Sequence, residues 1–291
     1  MTAWVRTDLH GHTLFSDGRA TPEEFVAFRR EQGMAVVAAS DHDVFDAVRR
    51  AAVTAQRAGM VLLPAAEITA FLAFGTSAAE QFHVLAYFPV RALSAGRLEQ
   101  TSLYRRGLRI RERWRAFVLE WLGDLDPADR HQIDPDGVLE GTPPAAFPAL
   151  QSMIDRVVVR HRPLFEAFRD HHVRFWAEGA EFFAWTPEEA IDVIRADGAT
   201  DIVAHPARYR DRERTRAVLD YASGVEAYTS RHRAEIAVEY RAFAEAQQKL
   251  WTASSDDHQN ARYMRPSSGM LLTTVERLMQ EQLPLSLISA A

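Results

Sequence analysis

The chain has 291 residues, 47% of them hydrophobic and 25% charged, enough for the core of one large α/β domain or a barrel with an insertion. Its formal net charge of −6 argues against long-range attraction to nucleic acid, which needs a basic face. It has no cysteine, which excludes disulfides, thiolate zinc sites and a cysteine nucleophile, so any metal must be held by His, Asp and Glu.

In chain order, Trp4 to Leu9 reads as a short strand. Thr21-Pro22-Glu23-Glu24 opens a helix, because threonine caps it, proline suits its first turn and acids favour its positive end. Gly33 closes it. Met34–Ala39 is a continuous apolar run of the kind buried parallel strands show. A helix over Val44–Ala58 follows, ended by Gly59, and then strands over Met60–Ala65 and Phe82–Phe88. Residues 95–184 are helical and arginine-rich, broken by Asp126-Pro127, Gly141-Thr142-Pro143-Pro144 and Pro148. They read as an inserted helical subdomain, a lid that sets substrate specificity. Alternation resumes over 185–291: Thr186-Pro187-Glu188-Glu189 repeats the capping pattern, and Asp201–Ala204, Gly224–Tyr228 and Leu250–Ser254 are strands. Repeated β-α units imply a parallel sheet or barrel, formed by residues 1–94 and 185–291. No apolar run approaches the roughly 20 residues that span a bilayer. Arg6 and Asp8 interrupt any leader pattern, so a cytoplasmic protein is the expectation.

His10 and His12, two apart at a strand end, present both imidazoles to one side. H-x-H alone is weak, but ligand-type residues recur at or near the carboxyl ends of most of the expected strands, Asp17, Asp41-His42-Asp43, Glu67, His205, Asp256 and His258, and His83 lies in the Phe82–Phe88 strand. In parallel α/β folds that edge is where sites are built. Imidazole and carboxylate without thiolate suit Mn, Fe, Zn or Ni. Three divalent ions would bring about six positive charges against about three negative ones from Asp17, Glu67 and Asp256. The excess favours an anionic substrate, and metal-bound water with a pKa lowered to around 7 is a nucleophile without Ser or Cys.

Asp8-Leu9-His10-Gly11-His12-Thr13, Ser16-Asp17-Gly18, Ser40-Asp41-His42-Asp43, Glu67-Ile68, His83, Ala204-His205-Pro206 and Ser255-Asp256-Asp257-His258 resemble the ordered motifs of the polymerase and histidinol phosphatase (PHP) family. The resemblance implies a distorted (β/α)7 barrel holding two or three divalent ions, manganese first, with iron, zinc or magnesium as alternatives. It places His10, His12, Glu67 and Asp256 on one ion, with Glu67 bridging to a second completed by His83 and His205. Asp17, His42 and His258 would hold a third. Asp41 and Asp257 either orient the neighbouring imidazoles or are simple loop caps or surface acids.

Thr186-Pro187-Glu188-Glu189-Ala190 leading into Ile202 to Tyr209 resembles the family's small phosphoesterase branch, which includes enzymes acting on nucleoside 3′,5′-bisphosphates and short oligonucleotides. That implies hydrolysis of a phosphomonoester of a small phosphorylated metabolite or nucleotide by metal-bound hydroxide. Asp256 would be needed for catalysis, with Arg208 and His232 reaching the substrate phosphate. The only nucleic acid expected is a short oligonucleotide substrate. The branch's Gly-Arg-x-His motif in the insertion is absent: Arg160-His161-Arg162-Pro163 and His171-His172 stand there instead. Arg105, Arg106, Arg109 and Arg113 form either a phosphate-gripping face or, the reading preferred, a solvated face with acid partners. Two other functions stay open, hydrolysis of a C–N or other non-phosphate bond and a non-catalytic metal-binding module.

Overall fold

The computed structural model describes residues 4–94, 96–261 and 269–284. Ala95, the first residue of the expected insertion, lies outside them. Among the described residues the fold is mixed α/β, with ten strands in three sheets. The strands are β1 (Trp4–Val5), β2 (Thr7–Asp8), β3 (Val36–Val37), β4 (Val61–Leu62), β5 (Ala65–Leu72), β6 (Glu80–Tyr87), β7 (Thr200–Val203), β8 (Gly224–Tyr228), β9 (Leu250–Ala253) and β10 (Met270–Leu271). The main helices are α1 (Pro22–Glu31), α2 (Asp46–Arg57), α3 (Ser102–Asp124), α4 (Arg162–Glu178), α5 (Pro187–Ala196), α6 (Arg212–Tyr221), α7 (Ala234–Ala246) and α8 (Leu272–Met279). None is long and apolar enough to cross a membrane.

Local chemistry sets the helix ends. Thr21 caps α1 and Thr186 caps α5, each in a reciprocal box with the glutamate three residues on. Gly33 follows α1 at φ +75°, a conformation glycine adopts without a Cβ penalty. The strands depart from expectation in three places. The run expected over Trp4–Leu9 divides at Arg6, so that β1 pairs with β10 and β2 with β3. The run expected over Met60–Ala65 does not stop there. It changes partners at Pro64, leaving β3 and continuing as β5 beside β6. β6 is antiparallel to both β5 and β7, so the expected all-parallel pattern fails there. A short run such as Phe82–Phe88 cannot reveal strand direction, which against β5 the short 73–79 connection decides: it is far too brief for a parallel crossover.

The sheets meet at the edge where the ligand-type residues cluster. Gly11 bridges to Asp257 and His42 to Glu67, both in parallel register. His12 N donates to Asp257 O and Asp256 N to His10 O, both at 2.9 Å. Gly11 permits this closeness, since a methyl there would run into the Arg29 guanidinium and the Phe25 ring.

The apolar interior falls into two clusters. One fills the space around the sheets. The other lies within residues 110–183, where Trp114, Phe117, Trp121, Phe168 and Phe175 interlock. Arg106 ties the helical region to the sheets. It is buried, paired with Asp43, and donates to Thr69 O at 3.0 Å and to Phe182 O.

Candidate metal centre

His10 and His12 follow β2 with their Nε2 atoms 3.3 Å apart. Glu67, the third residue of β5, turns Oε2 toward both, at 3.2 Å and 3.3 Å. Asp256, just past β9, brings Oδ1 to 3.6 Å and 3.3 Å from the same nitrogens. Four donors around an ion at about 2.0–2.1 Å in tetrahedral array stand roughly 3.3–3.4 Å from one another. The observed separations match the edges of such a shell.

The other oxygen of Glu67, Oε1, lies 3.0 Å from both His83 Nδ1 and His205 Nε2, which are 3.4 Å apart. His83 comes from the middle of β6, and His205 follows β7. Asp17 Oδ2 lies 3.5 Å from His42 Nε2 and 3.2 Å from His258 Nε2. All nine residues expected as ligands therefore converge. The grouping is less sharply divided than expected. His42 Nδ1 also lies 3.1 Å from Glu67 Oε2, and His12 Nδ1 lies 3.5 Å from Asp17 Oδ1. A neutral imidazole has one free lone pair, so each ring can serve one ion through one nitrogen.

Three atoms of this cluster are buried without a hydrogen-bond partner, Glu67 Oε2, Asp17 Oδ1 and His42 Nδ1, as are His83 Nε2 and His205 Nδ1, the ring nitrogens opposite those that face Glu67. Glu67 Oε2 faces three imidazole nitrogens without a properly directed hydrogen bond from any of them. Buried polar atoms are otherwise paired. Donors that point at a common centre rather than at each other fit a divalent cation, and this donor set suits Mn, Fe or Zn.

The cluster's electrostatics follow from its burial. Burial alone would lower the His12 pKa, but Asp17, Asp256 and Glu67 outweigh it and hold the imidazole up at about 10. His10 is likewise raised well above the ordinary value, its burial overcome by Glu67, Glu226 and Asp256. His83 goes the other way, to about 4, because burial dominates and Glu67 opposes it too weakly. Burial pushes Glu67 up, yet His83, His10 and His42 bring it well below the usual carboxylate range.

Around these groups stands a shell that sequence reasoning left largely unassigned. Glu226, buried in β8, accepts from His10 Nδ1 at 2.9 Å and from His205 N at 2.7 Å, and also binds Ser254 Oγ. It directs His10 to offer Nε2 inward. A lone glutamate in the apolar run of β8 was the available signal. Arg231, half-exposed, holds Asp256 Oδ2 at 2.7 Å. Asp8 takes Ser255 N and Oγ, both at 2.8 Å, and buried Arg29 holds Asp8 at 2.8 Å. This bracing holds a loop in which Asp256 sits at φ +54°, a left-handed conformation uncommon outside glycine. His205, at φ +29°, is similarly constrained before Pro206.

Of the two readings of Asp41 and Asp257, the structure favours loop capping. Asp41 does not orient His42. It accepts from Thr13 N, Thr13 Oγ1 and Ser16 Oγ at 2.6–2.7 Å, and reaches an imidazole only through Ser16, 3.3 Å from His12 Nδ1. Asp257 touches no imidazole: it caps Gln259 N at 2.9 Å and lies 3.5 Å from Arg29. Both carboxylates sit in tight loops whose free N–H groups claim them first.

The expected substrate-binding residues lie nearby. Arg208 is exposed and has no side-chain partner among the described residues. His232 has both ring nitrogens engaged, Nδ1 by Ala227 O at 2.8 Å and Nε2 by Ala207 N at 3.3 Å, so it braces the segment carrying Arg208. The arginines of α3 do not form a phosphate-gripping face. Arg106 is buried on Asp43, Arg113 pairs with Glu178 at 3.1 Å, Arg105 binds Gln100 O, and Arg109 lies over the Phe182 ring.

No protein-family model matches the sequence, and no curated protein does. Solved structures do match in shape. A candidate metal-dependent phosphoesterase of Bifidobacterium adolescentis is 21% identical with a TM-score of 0.63, the match covering 98% of this chain and 99% of that one. An amidohydrolase of Chromobacterium violaceum, with bound sulfate and no metal, is also 21% identical with a TM-score of 0.60, covering 98% and 97%. At these identities the likeness establishes that this chain shares their fold over nearly its whole length.

Proposed function

We propose that the protein is a metal-dependent phosphoesterase that hydrolyses a phosphomonoester of a small phosphorylated metabolite or nucleotide. The observation that carries this is Glu67, whose two carboxylate oxygens face separate sets of imidazole nitrogens at ligand spacing, Oε2 those of His10, His12 and His42 and Oε1 those of His83 and His205. A carboxylate so placed fits a bridge between two ions. Two or three divalent ions, manganese foremost, supply Lewis acidity and make water nucleophilic near neutral pH when bound. His10, His12, Glu67 and Asp256 would hold the first, Glu67, His83 and His205 the second, and Asp17, His42 and His258 the third. Glu226 and Arg231 would keep the imidazole and carboxylate ligands aimed inward, and Arg208, exposed three residues after His205, would meet a substrate phosphate. The sulfate bound by the amidohydrolase of the same fold shows that this fold accommodates a tetrahedral oxyanion in that protein. It supports the same reading here.

The two inter-sheet bridges, Gly11 to Asp257 and His42 to Glu67, support a distorted (β/α)7 barrel as the scaffold. We read residues 95–184 as its specificity insertion, and a cytoplasmic location as the working assignment.

The test is release of phosphate from phosphomonoesters by protein loaded with Mn, Fe, Zn or Mg, with amide substrates assayed in parallel. Metal-dependent phosphate release is the expected result. Amide hydrolysis without phosphate release would favour the C–N reading, for which the amidohydrolase neighbour is the specific reason. Elemental analysis finding no bound transition metal, with no activity on metal addition, would instead indicate a non-catalytic module.

A further inference from the structure

A cavity of about 280 Å³ opens between the ligand cluster and the helical region. Asp17 and His42 line it from the cluster. Trp114, Phe147, Phe175 and Trp176 line it from the helices, and Phe15 and Val44 from the loops after β2 and β3. It is therefore continuous with the candidate metal centre at one end and walled by aromatic rings at the other.

The charged side chains of this cavity outside the ligand set are already committed. Arg111 pairs with Asp46 and donates to Pro144 O at 2.7 Å. Asp43 is held by Arg106 and by Thr69 N. Ser16 also lines it, but its hydroxyl donates to Asp41 at 2.6 Å, which leaves the polar side chains of Gln81 and His172. His172 sits among Trp114, Phe168, Phe175 and Trp176, and its buried Nε2 has no partner. Burial in these apolar surroundings brings its pKa to about 4, so the ring is neutral at physiological pH and offers hydrogen bonds without charge.

Resting on the phosphoesterase reading, we infer that this cavity receives the body of the substrate: a flat, uncharged, largely apolar group with a hydrogen-bonding atom for His172, joined to a single phosphate directed at the ion that Asp17 and His42 would help to hold. Aromatic walls favour such a ring by area and by edge-to-face contact. A second phosphate would be buried here without a free guanidinium, a charge left uncompensated. The cavity therefore selects against nucleoside 3′,5′-bisphosphates. The missing Gly-Arg-x-His motif and the commitment of Arg106 and Arg111 are aspects of the same arrangement.

The test has a binding arm and a turnover arm, both on the full chain loaded with manganese. Quenching of tryptophan fluorescence measures binding of 1-naphthylmethylphosphonate and methylphosphonate, neither of which is hydrolysed. The aryl compound is expected to bind at least about tenfold more tightly. Trp176→Leu should remove most of that preference, and Leu150→Arg, at a partly exposed position, should shift it toward adenosine 3′,5′-bisphosphate. In turnover, kcat/KM for 1-naphthyl phosphate should exceed that for glycerol 2-phosphate and for adenosine 3′,5′-bisphosphate. Equal binding of the two phosphonates, or a bisphosphate turned over as well as the naphthyl ester, overturns the inference. Aryl-selective binding with no phosphate ester hydrolysed supports the cavity assignment and instead removes the phosphoesterase reading.

Discussion

His10 Nδ1 and Glu226 Oε1 lie 2.9 Å apart, both side chains wholly buried. The contact fixes which nitrogen of His10 faces the other candidate ligands. Because Glu226 also accepts from His205 N, one carboxylate steadies a ligand of each of the first two sites.

Glu226→Gln keeps the volume but must turn a donor toward either His10 or His205 N. Metal affinity should fall about 10- to 100-fold, the usual effect of losing such an outer partner. Titration of metal-free protein with manganese checks this, and unchanged affinity would contradict the role given to Glu226.

Asp256→Asn should abolish most phosphate release while the protein stays folded by circular dichroism, since the substitution keeps the shape and removes the charge. Arg231→Met should be milder. Arg231 is half-exposed, so stability should change by less than about 1 kcal/mol, while activity falls as Asp256 Oδ2 loses its 2.7 Å partner. Full activity in the Asn variant would rule out Asp256 as an essential ligand.

Metal loading should release protons. In the metal-free protein His12 is held at about 10 and His10 well above its ordinary value, so both are protonated at neutral pH and must lose a proton to coordinate. Affinity should therefore rise with pH through the neutral and mildly alkaline range. The stability of the metal-free protein runs the opposite way. A raised imidazole pKa stabilises fully below the unfolded value of 6.5, and that contribution is lost as pH climbs toward about 10. Calorimetry in buffers of differing ionisation enthalpy reads the first effect, and denaturant midpoints across pH the second. A pH-independent affinity would be the contrary result.

Arg29→Met should strand the buried carboxylates of Asp8 and Asp257. Removing one partner of such a buried network costs about 3–5 kcal/mol, and the Asp256 loop should loosen with it. Urea unfolding measures the first and manganese affinity the second. A loss below about 1 kcal/mol would show that the network is not a support.

The nine converging side chains were legible in the sequence because most are polar residues at or near the end of an apolar strand run, and His83 lies within one, where burial without a function is costly. Helix starts at Thr21 and Thr186 were legible for a similarly local reason, since a capping box is contained within four residues. Strand direction and partner exchange were not. β6 runs antiparallel to β7, a segment far along the chain, and at Pro64 the chain exchanges β3 for β6 as its partner, pairings that no pattern within a single run encodes. The same holds for Glu226, Arg231 and the Asp8–Arg29 bracing, whose roles exist only once β8, β9 and α1 are packed around His10 and Asp256. What the amino-acid order determined alone was the ligand inventory and the capped helices. Only the tertiary structure decided that Asp41 serves a loop rather than His42, that Arg106 is an internal tie, and that aromatic side chains of the middle third line an uncharged cavity beside the site. Those outcomes depend on competition among neighbours for each charge and each buried surface, and that competition takes place in space.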